Sequence, residues 1–150
     1  MKVVVQKSKY AKVEVNNELI NEINKGLVLL VGFTHTDTIE DIEYLVKKIV
    51  NLRIFDDENG IMNKSILDVG GSILSISQFT LYAATKKGNR PSYIRAAGHS
   101  TAIPMYENFC KEIELLTGKE VKQGEFGADM LVSLENSGPV TIVIDSKNRE

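Results

Sequence analysis

Eight consecutive residues, Gly26–Phe33 (GLVLLVGF), constrain the fold of this chain more than any other feature. The run is far shorter than the roughly 20 apolar residues that cross a bilayer. It also lacks the polar positions that a surface helix shows every third or fourth residue. It therefore reads as a strand buried on both faces, with apolar layers above and below it.

The rest of the chain supplies those layers. Val3–Gln6 and Val13–Val15 read as strands around a polar turn at Ser8–Lys12. After GLVLLVGF a helix is expected, capped by Asp37 with Glu40 completing the box, because Ile39, Ile42, Leu45, Val46, Ile49 and Leu52 recur at helical spacing. Asp56–Gly60 (DDENG) ends in Asn-Gly and reads as a hairpin turn. Gly71–Thr80 starts as an alternating strand and runs on into Leu81-Tyr82, and Thr85–Pro91 (TKKGNRP) is a loop by composition. A second helix is expected over Ser100–Leu116, with Pro104 in its first turn and Gly118 as its stop. Strands at Ala128–Leu134 and Val140–Ile144, joined by a turn at Glu135–Pro139, close the chain. Many strands plus two helices in 150 residues predict one compact α/β domain with mixed sheets, spanning 1–150.

Composition excludes several classes of function. No apolar stretch is long enough to be a transmembrane helix, and Met1–Gln6 turns polar too soon for a signal peptide. One cysteine, Cys110, cannot form an internal disulfide; it fits a reducing compartment, and the chain reads as soluble and cytoplasmic. The net charge of −2 argues against a broad grip on duplex nucleic acid. Any RNA contact must come from a local patch, and Lys86, Lys87 and Arg90, with Arg95 nearby, form the densest positive cluster. A solvated loop is its ordinary reading and a phosphate-contacting edge the sharper one.

Familiar catalytic signatures are missing: there is no CxxC, HExxH, GxxxxGK[ST] or GxSxG. His35 and His99 lie far apart at expected element ends, make a poor zinc set, and read as structural or solvated. No metal or cofactor is expected. Cys110 reads as a small buried hydrophobe on a helical stripe. Two segments stand out instead. Ser77-Gln78-Phe79-Thr80 puts three polar side chains at the end of an apolar strand, where side chains and backbone N–H groups become available to a ligand. A Ser/Thr-rich strand edge is an equally good reading of those four residues alone. Gly138-Pro139 removes a side chain and a backbone donor and so leaves bare carbonyls, although taken alone it is an ordinary hairpin turn.

Together these residues closely resemble the D-aminoacyl-tRNA deacylases, also called D-tyrosyl-tRNA deacylases. The likeness runs through Gly26–Phe33, Lys48–Ala83 (including SQFTLYA), Thr85–Tyr93 (TKKGNRPSY), Gly124–Met130 (GEFGADM) and Asn136–Ser146 (NSGPVTIVIDS). The resemblance implies a three-layer β-β-α fold in an obligate homodimer with active sites at the interface. It implies hydrolysis of the ester of D-aminoacyl-tRNA, and of mischarged glycyl-tRNA, at the 3′-terminal adenosine. It implies a cis Gly138-Pro139 pair that enters the partner subunit's active site and filters handedness. Ser77, Gln78, Phe79 and Thr80 then form the reacting edge, with Phe126, Gly127, Ala128 and Met130 as the pocket floor. Thr80 and the backbone at Phe79–Thr80 are expected to position the ester and bind an oxyanion, since nothing supplies Thr80 with a base. Gln78 and Phe79 are expected to hold the terminal adenosine.

Three positions depart from the family pattern: Lys7 stands where Arg is common, and Ala84 and Ser137 where Asp is common. Lys cannot form Arg's bidentate hydrogen bonds, which loosens the expected support of the Gly-Pro loop. Two other readings stay open: a related deacylase with a trans Gly-Pro bond acting on L-aminoacyl-tRNA, and a tRNA-end binding module without catalysis.

Overall fold

The computed structural model describes residues 1–150. In chain order the elements are β1 (Lys2–Val15), β2 (Glu18–Ile23), β3 (Gly26–Gly32), α1 (Ile39–Asn51), β4 (Phe55–Asp56), β5 (Met62–Lys64), α2 (Ile66–Val69), β6 (Ser72–Ser77), a 3-10 turn at Phe79–Tyr82, α3 (His99–Thr117), β7 (Lys122–Gln123) and β8 (Leu131–Asp145). Six strands form one mixed sheet in the order β2-β1-β3-β6-β7, with β8 also paired to β1. The β3–β6 and β6–β7 pairs are parallel and the others antiparallel. The fold is thus α/β with a mixed sheet, and β4–β5 is a separate hairpin closed by the DDENG turn.

β3 is the buried strand that its sequence requires. Leu27, Leu29 and Val31 enter the main core, where they meet Ile42, Leu45, Val46 and Ile49 of α1 and Tyr106, Phe109 and Ile113 of α3. Val28 points the other way, into a second cluster with Ala11, Val13, Ile23, Leu74 and Ile76. Alternate residues of one strand therefore serve two cores on opposite faces. Gly26 makes the close approach possible: a Cβ there would lie 1.8 Å from the Ser72 carbonyl oxygen.

Several boundaries differ from the sequence reading, each for a physical reason. β1 is continuous, with no turn at Ser8–Lys12; Ser8 is buried and its hydroxyl donates to the Tyr10 carbonyl at 2.7 Å. The turn falls later, at Asn16-Asn17, whose φ angles of 50° and 63° suit asparagine and lead into β2, a strand too polar to stand out. α1 is capped by Thr38 with Asp41, not by Asp37 with Glu40. Asp37 instead accepts the Thr34 N–H at 2.8 Å and pairs with the Met1 ammonium at 2.5 Å. β6 stops at Ser77, and the expected continuation through Tyr82 is a 3-10 turn. Pro104 lies in the second turn of α3, past the first-turn position expected for it. Gly118 does end that helix, in the left-handed conformation. The last third is one strand, β8, rather than two, because the Gly-Pro segment is an excursion from a ladder that resumes beyond it.

Candidate active site

β3 and β6 run parallel, so their carboxyl ends emerge together, with Val31 opposite Ser77. Crevices at the carboxyl ends of such strands are where α/β sheets place ligands. Here a cavity of about 540 Å³ opens, walled by Ser77, Gln78, Phe79, the Tyr93–Ala102 region and Phe126–Val132. Gln78 fixes its edge: the Gln78 N–H donates to the Val31 carbonyl at 2.7 Å, and its side-chain amide donates to the Thr80 hydroxyl. The following 3-10 turn begins with free donors. Leu81 is its first N–H to find a backbone acceptor, the Gln78 carbonyl at 3.3 Å, which leaves the Phe79 and Thr80 N–H groups unpaired along the backbone.

The opposite wall is held in place by β-type contacts. The Ala97 N–H donates to the Phe33 carbonyl at 2.9 Å, and Thr34 and Ala96 form a bridge. His35 Nε2 lies 3.0 Å from the Ile94 carbonyl, a structural contact as the sequence suggested. Gly98, Gly127 and Ala128 give the cavity a lining rich in backbone, with aromatic rings beside it. Phe79 meets Tyr93 edge-on at 5.0 Å, and Phe126 meets His99 at 5.7 Å and Tyr106 at 5.8 Å. Tyr106 anchors this group by donating to the Ser75 carbonyl at 2.8 Å; burial pushes its phenol well above the usual range. Burial likewise pushes the neighbouring Cys110 thiol up to about 11, so it is an inert core group.

Seven expected site residues, Ser77, Gln78, Phe79, Phe126, Gly127, Ala128 and Met130, line this cavity, and Thr80 joins through Gln78. His99 and Tyr93 also line it, and the sequence had singled out neither for the site. Their signal was weak: a tyrosine in the basic loop region and a histidine after the single glycine, Gly98, that precedes α3. Lys86, Lys87 and Arg90 lie apart from the cavity lining, on an exposed loop whose base is clamped by paired hydrogen bonds between Ala84 and Ser92 at 2.8 and 3.0 Å. No group of three or more His, Cys, Asp or Glu side chains converges as metal ligands do.

Gly138 and Pro139 do not line this cavity. Their peptide bond is cis, and both residues are exposed. The ladder between β1 and β8 pairs Gln6 with Thr141 and then Ser8 with Asn136, so Ser137–Val140 loop out opposite Lys7 alone. Asn136 holds the base of the loop: its Oδ1 accepts the Val140 N–H at 3.0 Å and its amide donates to the Thr141 hydroxyl at 2.8 Å. Gly138 has φ +129°, and a Cβ there would meet Val140 Cγ2 at 2.8 Å. Lys7 is 8% exposed and its ammonium lies 3.9 Å from Asp56.

The family model described as D-Tyr-tRNA(Tyr) deacylase matches residues 4–145. The chain belongs to that family. A D-aminoacyl-tRNA deacylase of Bacteroides fragilis (strain YCH46) is 61% identical over 150 residues, covering 100% of both chains. One from Flavobacterium johnsoniae is 57% identical with the same coverage. Among solved structures, a c-Myc DNA unwinding element binding protein is similar at TM-score 0.91 and 39% identity, over 97% of this chain and 98% of that one. A probable eukaryotic D-amino acid tRNA deacylase, at TM-score 0.82 and 17% identity over 95% and 97%, shares the fold. The D-Tyr-tRNA deacylase family match spans every cavity-lining segment and the Gly138-Pro139 loop.

Proposed function

We propose that the chain is a D-aminoacyl-tRNA deacylase, which hydrolyses the ester joining a D-amino acid, or glycine, to the terminal ribose of tRNA. The observation that carries this reading is the polar edge Ser77–Thr80, with its free N–H groups, on the rim of a cavity at the carboxyl ends of β3 and β6. An aminoacyl ester is already activated, so positioning and oxyanion stabilisation suffice. Water adds to the ester carbonyl, and the Phe79 and Thr80 N–H groups receive the negative charge that develops on its oxygen. The intermediate then collapses and the ribose 3′-oxygen leaves with the proton of the neighbouring 2′-hydroxyl, whose oxygen receives the proton released by the attacking water, so both ribose hydroxyls are restored and the amino acid is freed. Gln78 holds the Thr80 hydroxyl in place, so Thr80 acts as a positioning group. Gln78 and Phe79 hold the terminal adenosine, and Phe126, Gly127, Ala128 and Met130 form the floor.

The active form is a homodimer with a three-layer β-β-α subunit, in which the Gly138-Pro139 loop of one subunit completes the other's site. Three features support this: the two cores on opposite faces of β3, the exposed loop absent from its own cavity's lining, and two large apolar side chains of β8, Leu131 and Val143, left 62% and 68% exposed. Handedness is selected by exclusion, as carbonyls of the loop crowd the α-carbon and leave no room for an L side chain. Lys86, Lys87 and Arg90 contact tRNA phosphates. No helix is long and apolar enough to cross a membrane, and we place the reaction in the cytoplasm with the tRNA pool.

The deciding experiment is deacylation of purified D-Tyr-tRNA and L-Tyr-tRNA with and without chelator. Release of D-tyrosine alone, unaffected by chelator, is expected. Equal hydrolysis of both would overturn exclusion by the loop, and release from L-Tyr-tRNA alone would point to the L-specific relatives. No hydrolysis of either would leave a tRNA-end binding module.

A further inference from the structure

A second cavity, of about 300 Å³, lies away from the first and is lined by Lys7, Ser8, Lys9, Lys25, Phe55, Asp56 and Ser137. Its chemistry is unlike that of the first: six of its seven lining residues are polar, with three lysines to a single aspartate. The Lys7 side chain is 10% exposed, its one charged partner is Asp56 Oδ1 at 3.9 Å, and it makes no hydrogen bond within the chain. A buried ammonium with three unused donors is costly unless an acceptor arrives. The Asp56 carboxylate is 58% exposed, so solvent screening lets it answer only part of that demand. Lys25 stands over the Phe55 ring, 5.8 Å from its centroid, which holds its head group at the cavity rather than free in solvent. Ser8 already donates to the Tyr10 carbonyl, so the lysines are the main donors.

We infer that this cavity is a phosphate site, which takes a backbone phosphodiester of the tRNA acceptor strand. The excess of ammonium over carboxylate selects an anion, and three point charges on flexible stems suit a tetrahedral phosphate, which lysine binds without fixed geometry. Ser137 opens the excursion that carries Gly138-Pro139, so the site sits at the foot of that loop. This step rests on the cross-subunit reading above: where the loop of one subunit enters the other's cavity, Lys7, Lys9 and Lys25 travel with it. They meet the strand whose terminal adenosine occupies that cavity. One tRNA end is then held by both subunits, the ester by one and a phosphate by the other.

The test uses the full-length protein with Lys9→Gln and Lys25→Gln combined, leaving Lys7 in place because it backs the loop. For D-Tyr-tRNA, KM should rise roughly tenfold with kcat held, and the slope of log KM against log salt should fall by about 1, the share of one phosphate. The same variant should hydrolyse 3′-O-D-tyrosyl-adenosine, which carries no phosphate, at the wild-type rate. An equal loss on both substrates would overturn the inference, because the lysines would then be shaping the catalytic cavity. An unchanged KM and salt slope would overturn it too; if inorganic phosphate still bound the wild type and not the variant, the site would be one for free phosphate. A wild-type protein inactive on both substrates would refute the deacylase reading itself, an outcome distinct from these.

Discussion

The SQFT cavity and the Gly138-Pro139 loop are both attached to the same central sheet, yet they are built in opposite ways. The cavity is walled by one chain: parallel strand ends, the start of α3 and the Phe126–Val132 segment line it. The loop is an exposed excursion tied down only at its base, through Asn136. In the proposed function the first holds the ester and the second selects its handedness, so affinity and stereochemical selection should be separable by substitution.

The change that should most strongly break this separation is Gly138→Ala. The residue has φ +129° and no room for a Cβ beside Val140, so the methyl must reshape the loop. The ratio of kcat/KM for D-Tyr-tRNA over L-Tyr-tRNA should fall by about 100-fold, the scale at which a positioned steric contact discriminates. Because the loop is exposed, Tm should stay close to wild type in the same preparation. A preserved ratio would detach the loop from selection.

Thr80→Ala probes the cavity. A positioning hydroxyl should cost about tenfold in kcat and leave the D-over-L ratio intact, whereas loss of a covalent nucleophile would cost on the order of 10³-fold or more. Single-turnover deacylation distinguishes these. Replacing Lys86, Lys87 and Arg90 with Gln together should lower the salt slope of tRNA binding by about 3 without changing selectivity, and an unaltered slope would return that loop to a solvated role.

The smallest effect concerns the scaffold that both regions share. Burial alone would raise the pKa of Asp41, but hydrogen bonds from Lys147, Ser146 and the Thr38 N–H outweigh it and hold the carboxyl below its ordinary range. A depressed folded-state pKa contributes stability above the unfolded value of about 4, and that contribution is lost as pH falls through the lower folded value. Thermal melts between pH 6 and pH 2 should therefore show wild type losing about 1 kcal/mol more than Asp41→Asn, the usual worth of a helix cap.

The sequence made the buried strand and two of the three helices legible, because these depend on local patterns; the four-residue α2 was missed, and the cavity floor at Phe126, Gly127, Ala128 and Met130 was legible only through family likeness. GLVLLVGF needs no context to read as interior, and the helical stripes name the residues that reach the core. Where reading failed, partners decided the outcome. Thr38 and Asp37 are both good caps by residue type, and the buried Met1 ammonium together with the Thr34 N–H draws Asp37 away. Ser8 resembles a turn residue until a carbonyl two positions on accepts its hydroxyl's hydrogen bond. His99 joins the cavity because α3 begins there, a fact set by the Ala97–Phe33 contact and not by anything beside His99 in the chain. The Gly138-Pro139 loop carried its meaning only through family likeness, since its own cavity lining excludes it.

The manner in which that loop leaves the sheet has a consequence for how such a protein can diversify. Pairing between β1 and β8 holds at Gln6–Thr141 and again at Ser8–Asn136, so the four residues between can change length, chemistry or shape while every other register is kept. With the loop as the proposed filter, selectivity resides in a replaceable insert and the interior in a fixed frame, and a lineage can revise which substrates it rejects without having to relearn how to fold.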